Sequence, residues 1–435
     1  MYFNFHTIIS CLLIVLVFTL FITQPTKAQP PYYFPPTNGS NTWEKVTINE
    51  LGWCQAELDT LVAFLDTTNT KAFIVLKNGR IAIEKYFGTF TADSNWYWAS
   101  AGKSMTAFLI GIAQQQNSIN INNTSATYLG NGWTSCPAAK EAIITVKNQI
   151  SMTTGLDDGV PDKDCTDPSC LQYLADAGTR WAYHNAPYTL LDAVIANATG
   201  LTLNQFFIAN VRNPIGMNGA YFKLGYNNVL FTTPRSMARF GLLVLNKGSW
   251  NGTPILADSI YFHNMVNTSQ NLNLSYGYLW WLNGKASFML PGLQYVFDGP
   301  LNPHAPNDAF AALGKNGQII YVVPSQDLVL IRMGNNPDNS LVPATYSNDI
   351  WQYFSQVVCP LQCGNQSNVV ISGSEVVCNH LSGNTYIYSV APVNGSIYIW
   401  TVTGGTIISG QGTSQITVSW GQNSTGSISV VQETP

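Results

Sequence analysis

Trp98-Ala99-Ser100-Ala101-Gly102-Lys103-Ser104-Met105 is the stretch from which the rest of the chain is read. It is the only place where a serine precedes a lysine by three residues. After it, Met105, Phe108, Leu109 and Ile112 recur at helical spacing, which predicts an amphipathic helix. Residues three apart lie on one helix face, so the lysine amine is expected beside the serine hydroxyl. That hydroxyl is a weak nucleophile until a neighbouring base activates it. At a helix N-terminus it would also sit among free backbone N–H groups that favour negative charge. The plainer reading makes Ser100 a helix N-cap, a favoured place for serine. The remainder of the chain decides between the two.

Outward from this stretch, the chain reads as strands at the beginning and end of one long region with helices between them. Glu57 to Asp66 is expected to be helical. Residues 72–76 and 81–87 read as strands joined by Asn78-Gly79, a strong hairpin signal. Between about 120 and 225 the sequence looks helical and loop-rich. Helical patterns run over Leu190–Ala198, Leu203–Val211 and Ser236–Leu245. Near the end, residues 318–323 and 328–332 read as strands around Pro324-Ser325-Gln326-Asp327, and a helix is expected over Asn348–Val358. This is an α+β plan: an antiparallel sheet flanked by helices, plus a helical lobe. After Pro360 the pattern turns to short strands with turns at Ser382-Gly383-Asn384, Asn394-Gly395 and Gly404-Gly405. That predicts a small all-β sandwich over 361–435.

The chain has 435 residues, 46% of them hydrophobic and only 10% charged, with a net charge of −4. A sizeable core is affordable, and no basic surface points to nucleic acid. Ile8 to Ile22 is almost wholly apolar but shorter than the roughly 20 residues that a membrane span requires. Thr26-Lys27-Ala28 follows as a small-residue cleavage site, so residues 1–28 read as a signal peptide and 29–360 as the first mature domain. The expected location is secreted, periplasmic or cell-surface. Export permits disulfides. Cys165 with Cys170, and Cys359 with Cys363, are spaced to close small loops, while Cys54, Cys136 and Cys378 make the count odd.

Two further motifs follow the serine and lysine in order: Tyr183-His184-Asn185 and Lys315-Asn316-Gly317. With these, residues from about 50 to 358 resemble the serine β-lactamase and penicillin-binding-protein superfamily, nearest its class C-like branch. That family carries Ser-x-x-Lys, Tyr-x-Asn and Lys-Thr-Gly in this order. Ser151-Met152-Thr153-Thr154-Gly155-Leu156, Pro214-Ile215-Gly216-Met217 and Met237-Ala238-Arg239-Phe240-Gly241-Leu242-Leu243 add to the likeness. Tyr-x-Asn recurs at Tyr226 and Tyr346, and Lys-Asn-Gly recurs at Lys77; order and neighbours favour Tyr183 and Lys315.

The resemblance implies an acyl-enzyme hydrolase without metal or cofactor. Ser100 attacks the acyl carbonyl. Lys103 and Tyr183 share the base role, and Tyr183 returns the proton to the leaving group. Asn185 orients Lys103 and substrate, and Lys315 keeps the field at the phenol positive. Backbone N–H groups of Ser100 and Gln318 hold the oxyanion, while Asn316, Gly317 and His184 line the substrate site. Asn316 departs from the family threonine and removes a hydroxyl that holds a substrate carboxylate, which counts against penicillin-like substrates. The expected order is ester or amide first, then peptidoglycan-type D,D-peptides, then β-lactams. A non-catalytic acyl-binding sensor is the alternative on the same fold.

Other chemistries are weaker. Beyond the leader the histidines are His184, His263, His304 and His380, and no G-x-S-x-G elbow accompanies them. Asp157, Asp158, Asp162, Asp164 and Asp167 form an acidic loop whose plain reading is a solvated segment near the cleft mouth and whose alternative is calcium. Residues 397–405 and 418–421 resemble the PKD-like, immunoglobulin-type domains of secreted bacterial proteins, which implies a spacer or adhesion role. Trp400 and Trp420 read as core packing, with contact to carbohydrate or a cell surface as the alternative.

Overall fold

The computed structural model describes residues 32–38, 42–337, 342–358, 370–374, 377, 385–421 and 426–433. The expected signal peptide, Cys359, Cys363, Cys378 and His380 lie outside them. Helix α1 (Gln55–Thr67) leads into strands β1 (Thr70–Lys77) and β2 (Arg80–Tyr86). The turn between the strands places Asn78 and Gly79 at φ 50° and 78°, the left-handed pair that a tight hairpin demands. Helix α2 (Gly102–Gln115) follows the serine turn. The lobe includes α3 (Leu191–Thr199), and α4 (Pro234–Leu245) returns the chain to the sheet. Strands β3 (Trp281–Leu282), β4 (Phe310–Gly314), β5 (Gln318–Val323) and β6 (Leu328–Gly334) complete the sheet before α5 (Ala344–Val358).

Strand order is β2-β1-β6-β5-β4-β3, with every neighbouring pair antiparallel. Strands β5 and β6 are buried along their whole length, as expected where helices cover both faces. Helix α4 packs on β1, β5 and β6, while α1 and α5 pack together beside β1. Its start combines a proline in the first turn with the Thr233 side chain, which accepts from the Ser236 N–H.

Helix α2 departs from the expected amphipathic form. Every residue from Gly102 to Ala113 is buried, Lys103, Ser104 and Thr106 included. The cause is tertiary: α2 lies between β4 on one side and α3 on another, so it has no solvent face. Its polar side chains are satisfied internally. Ser104 donates to the Leu279 carbonyl at 2.7 Å, and Thr106 shares a hydrogen bond with the Tyr188 hydroxyl at 3.2 Å.

Toward the C-terminus, strands β7 (Thr385–Ser389), β8 (Ile397–Thr403), β9 (Gly405–Ser409), β10 (Gln415–Trp420) and β11 (Ser427–Glu433) form two sheets, β7-β10-β9 and β8-β11. Their shared core is Tyr388, Val390, Tyr398, Trp400, Ile416 and Val418. Trp400 is 2% exposed and donates to the Thr413 carbonyl, and Trp420 donates to the Tyr388 hydroxyl. Trp400 is therefore a core packing residue, and Trp420 packs half-buried against that core, each with a satisfied indole N–H.

Candidate active site

The serine turn is held from below. Trp98 is fully buried, its backbone N–H bonds the Leu230 carbonyl and its indole donates to Thr232 Oγ1, both at 2.8 Å. Ala99 then takes φ 47°, a left-handed value that costs a non-glycine residue free energy and recurs at functional turns. Ser100 sits in the single 3-10 turn Ala99–Ala101 that runs into α2, and its side chain caps nothing. The N-cap reading therefore falls. Lys103, one turn on, points its Nζ at Ser100 Oγ at 3.1 Å.

Lys103 is 4% exposed. Its amine lies 4.3 Å from the centre of the Tyr188 ring and 5.3 Å from that of Tyr183. Burial pulls its pKa down from 10.5 to about 7, and the Asp164 carboxylate pulls in the opposite direction. A neutral amine is thus available near neutral pH.

Tyr183 arrives from the helical lobe. The segment before it is pinned by the Ala182 N–H on the Met152 carbonyl at 2.9 Å, so the Ser151–Leu156 stretch acts as its backing. Gln294 donates to the Trp181 carbonyl from the other side at 3.0 Å. The Tyr183 ring stacks on Trp281 at 5.7 Å and meets Tyr276 edge-on. Burial raises the phenol's pKa well above its ordinary value, and a hydrogen bond with Ser100 opposes this in part. A lysine charge is not among the causes. Lys315 stands exposed in the turn between β4 and β5.

Asn185 and His184 also differ from expectation. Asn185 opens the short helix Asn185–Thr189, and its Nδ2 donates to Asp164 Oδ1 at 2.7 Å rather than engaging Lys103. Its side chain turns toward the loop that the Cys165–Cys170 disulfide closes. His184 is 2% exposed, with no hydrogen-bond partner on either ring nitrogen among the described residues. Burial drives its pKa down to about 4, against the pull of Asp158 and Asp157. It is an enclosed imidazole that burial holds toward its neutral form.

The third motif meets the serine through its backbone. A Cβ on Gly314 would overlap the Trp98 carbonyl and lie 2.9 Å from the Ala101 nitrogen, so β4 ends against the serine turn only because residue 314 has no side chain. Gln318 begins β5, an interior strand, and is fully buried. Its amide nitrogen donates to the Gly334 carbonyl at 2.7 Å, and its Oε1 accepts from the Gly334 N–H at 3.1 Å. With β4 between it and the serine, Gln318 braces the turn instead of facing substrate. Asn316 gives its Nδ2 to the Tyr97 hydroxyl at 2.6 Å, and Gly317 holds φ 73° over Arg332. Arg332 itself is fully buried, donating to the carbonyls of Asn316 and Gly317 at 2.8 and 3.0 Å.

Gly314, Arg332 and Asp164 are the site residues that sequence reading passed over. Leu313-Gly314 ahead of the third motif was the available signal for the first, and an arginine inside an apolar strand was the signal for the second. Asp164 lay within the acidic loop. Its neighbours do not converge on a shared ion: Asp158 pairs with Arg180 at 2.6 Å, Asp157 and Asp162 accept from nearby backbone N–H groups, and Asp167 accepts from the Tyr226 hydroxyl. Among the described residues no group of three or more His, Cys, Asp or Glu is placed to hold a metal.

A Gly314→Ala variant is expected to lose roughly 100-fold in kcat and to melt lower, because a Cβ overlapping the Trp98 carbonyl forces the serine turn to shift and misaligns the attack. Ester kinetics beside a circular-dichroism melt would check this.

Comparison with known proteins identifies the family. A family profile described as Beta-lactamase matches residues 58–346, and a PKD-like domain profile matches 365–434. The fold is similar to a provisionally assigned 6-aminohexanoate-dimer hydrolase from Bacillus anthracis, with 21% identity, TM-score 0.57, and coverage of 74% of this chain and 89% of that one. It is also similar to a provisionally assigned beta-lactamase from Bacteroides dorei, at 17% identity, TM-score 0.56 and coverage of 70% and 99%. A penicillin-binding-protein homologue from Caulobacter crescentus matches at 13% identity, TM-score 0.54 and the same coverage of 70% and 99%. No curated protein matches in sequence. Since the first profile spans well over half of its length, the chain belongs to the Beta-lactamase family, with a PKD-like domain after it.

Proposed function

We propose that this protein is an exported serine hydrolase that cleaves an ester or amide through an acyl-enzyme on Ser100. The observation that carries the reading is the Lys103 Nζ to Ser100 Oγ hydrogen bond of 3.1 Å, made by an amine whose pKa burial has brought to about 7. The neutral Lys103 amine takes the Ser100 proton as Oγ bonds to the acyl carbon. The Tyr183 phenol stays protonated at neutral pH because burial raises its pKa, so it serves as the acid that protonates the leaving group. Lys103 then returns the phenol's proton. Water, deprotonated by the same amine, releases the acid and restores Ser100. Backbone N–H groups at Ser100 and at the end of β4 are the oxyanion donors that this geometry favours.

Two further features bear on substrate and location. The Asn316 amide is already engaged by Tyr97, which argues against a carboxylate-bearing β-lactam or D,D-peptide as the preferred substrate. The Cys165–Cys170 disulfide, joined by a second at Cys54, supports an oxidising compartment.

The test is to react the protein with a fluorophosphonate and map the adduct, then to follow chromogenic ester and penicillin by intact mass. A single adduct on the peptide carrying Ser100, with ester turnover, is the expected result. An adduct elsewhere would overturn the assignment, and an acyl adduct that never clears would make the protein a sensor.

A further inference from the structure

Resting on the hydrolase reading above, we propose that Asp164 is a specificity-determining residue that receives a cationic group of the substrate, selecting ammonium-bearing esters or amides over neutral ones. The side chain is held against Asn185, two residues beyond Tyr183. The neighbouring Cys165 is fixed by its disulfide to Cys170, the Lys163 carbonyl accepts from the Ala186 N–H at 3.2 Å, and Asn185 Nδ2 holds Asp164 Oδ1 at 2.7 Å. The carboxylate is only half-buried, and among the described residues Asn185 is its one side-chain donor, which leaves acceptor capacity open. Asn185 Oδ1 is a second acceptor without a partner among the described residues.

The surroundings suit a cation as well. The Asp164 carboxylate opposes the burial that lowers the Lys103 pKa. The rings of Tyr183 and Tyr188 face the lysine amine, and Tyr183 packs in turn on Tyr276 and Trp281. Arg180, the nearest guanidinium in sequence to Tyr183, is neutralised by Asp158. Lys315 is exposed in the turn between β4 and β5, and Lys163, beside Asp164 in the chain, is exposed as well.

The experiment compares two matched pairs. One is p-nitrophenyl 3-aminopropanoate against p-nitrophenyl butanoate, with the charge in the acyl part. The other is acetylthiocholine against 3,3-dimethylbutyl thioacetate, with the charge in the leaving group. Wild type is expected to prefer the cation in one pair. Asp164→Asn, which keeps the shape and the Asn185 contact, is expected to lower kcat/KM for that cationic substrate by roughly 10- to 100-fold. The neutral partner registers what the lost charge does to Lys103 and to folding. The ratio within a pair cancels any common effect on Lys103 or on folding. A ratio unchanged by Asp164→Asn, or a wild type that turns over neutral esters without preferring either cation, would overturn the proposal and leave the hydrolase reading standing. Failure of wild type on all four substrates, with no adduct on Ser100, would remove both.

Discussion

Ser100→Ala is expected to lower ester turnover by roughly 1,000-fold or more and to abolish the fluorophosphonate adduct. The magnitude follows from what the substitution removes. The hydroxyl meets both the Lys103 amine and the Tyr183 phenol, so without it neither proposed proton transfer has its partner. Residual catalysis would come from binding and oxyanion donors alone. The fold should be untouched, because Ser100 caps no helix and sits half-exposed at the end of a turn already fixed by Trp98. A melt matching wild type with turnover gone is the expected pair of readings. Turnover within about 10-fold of wild type would show that another nucleophile does the chemistry.

Much of this site was legible in the primary structure because it is local. A serine and a lysine three residues apart on a helix need no tertiary information to be neighbours, and the Asn78-Gly79 turn announces its hairpin by backbone preference alone. What was not legible depends on distant partners. Phe310-Ala311-Ala312-Leu313-Gly314 has little β-branching to mark a strand, and it becomes one by pairing with β5 from Phe310↔Val322 to Gly314↔Gln318. The strand 220–224 lies at the end of a stretch that reads as helical and loop-rich, and it forms by pairing with 227–232, which pairs in turn with Trp96-Tyr97. Order along the chain located Lys315 but not its exposure, since the turn's backbone, and not the lysine, is what the fold presses against Ser100.

Asp164 shows the same limit from the other side. Nothing in an acidic loop reveals which carboxylate turns inward, and here the choice is made by a short disulfide and by Asn185, 21 residues further along the chain. The motif Tyr-x-Asn therefore does two jobs on this fold. The tyrosine faces the nucleophile, and the asparagine anchors the loop that brings a negative charge to the lysine. The charge balance at the reacting centre is thus set by a segment with no motif of its own.

Lys103→Met is expected to separate catalysis from stability. Removing the base should lower kcat/KM by roughly 100- to 10,000-fold. It should also erase the acidic limb of the pH–rate profile, which in wild type rises through about pH 7 as the ammonium loses its proton. The sign of the stability effect is opposite. Lys103 has a folded pKa of about 7 against 10.5 when exposed, so from pH 10.5 down to about 7 the unfolded chain binds a proton that the folded chain does not. Stability therefore falls as the pH drops through that window and levels off below it. Methionine is of similar length and carries no such penalty, so the variant should be more stable than wild type at pH 7, on the order of 3 kcal/mol after the lost contacts to Ser100 and Tyr188 are deducted. Denaturant melts at pH 7 and pH 10 would show the gain shrinking at the higher pH. A variant that is both inactive and less stable at pH 7 would mean that the amine is held charged in the fold, and that another group takes the serine proton.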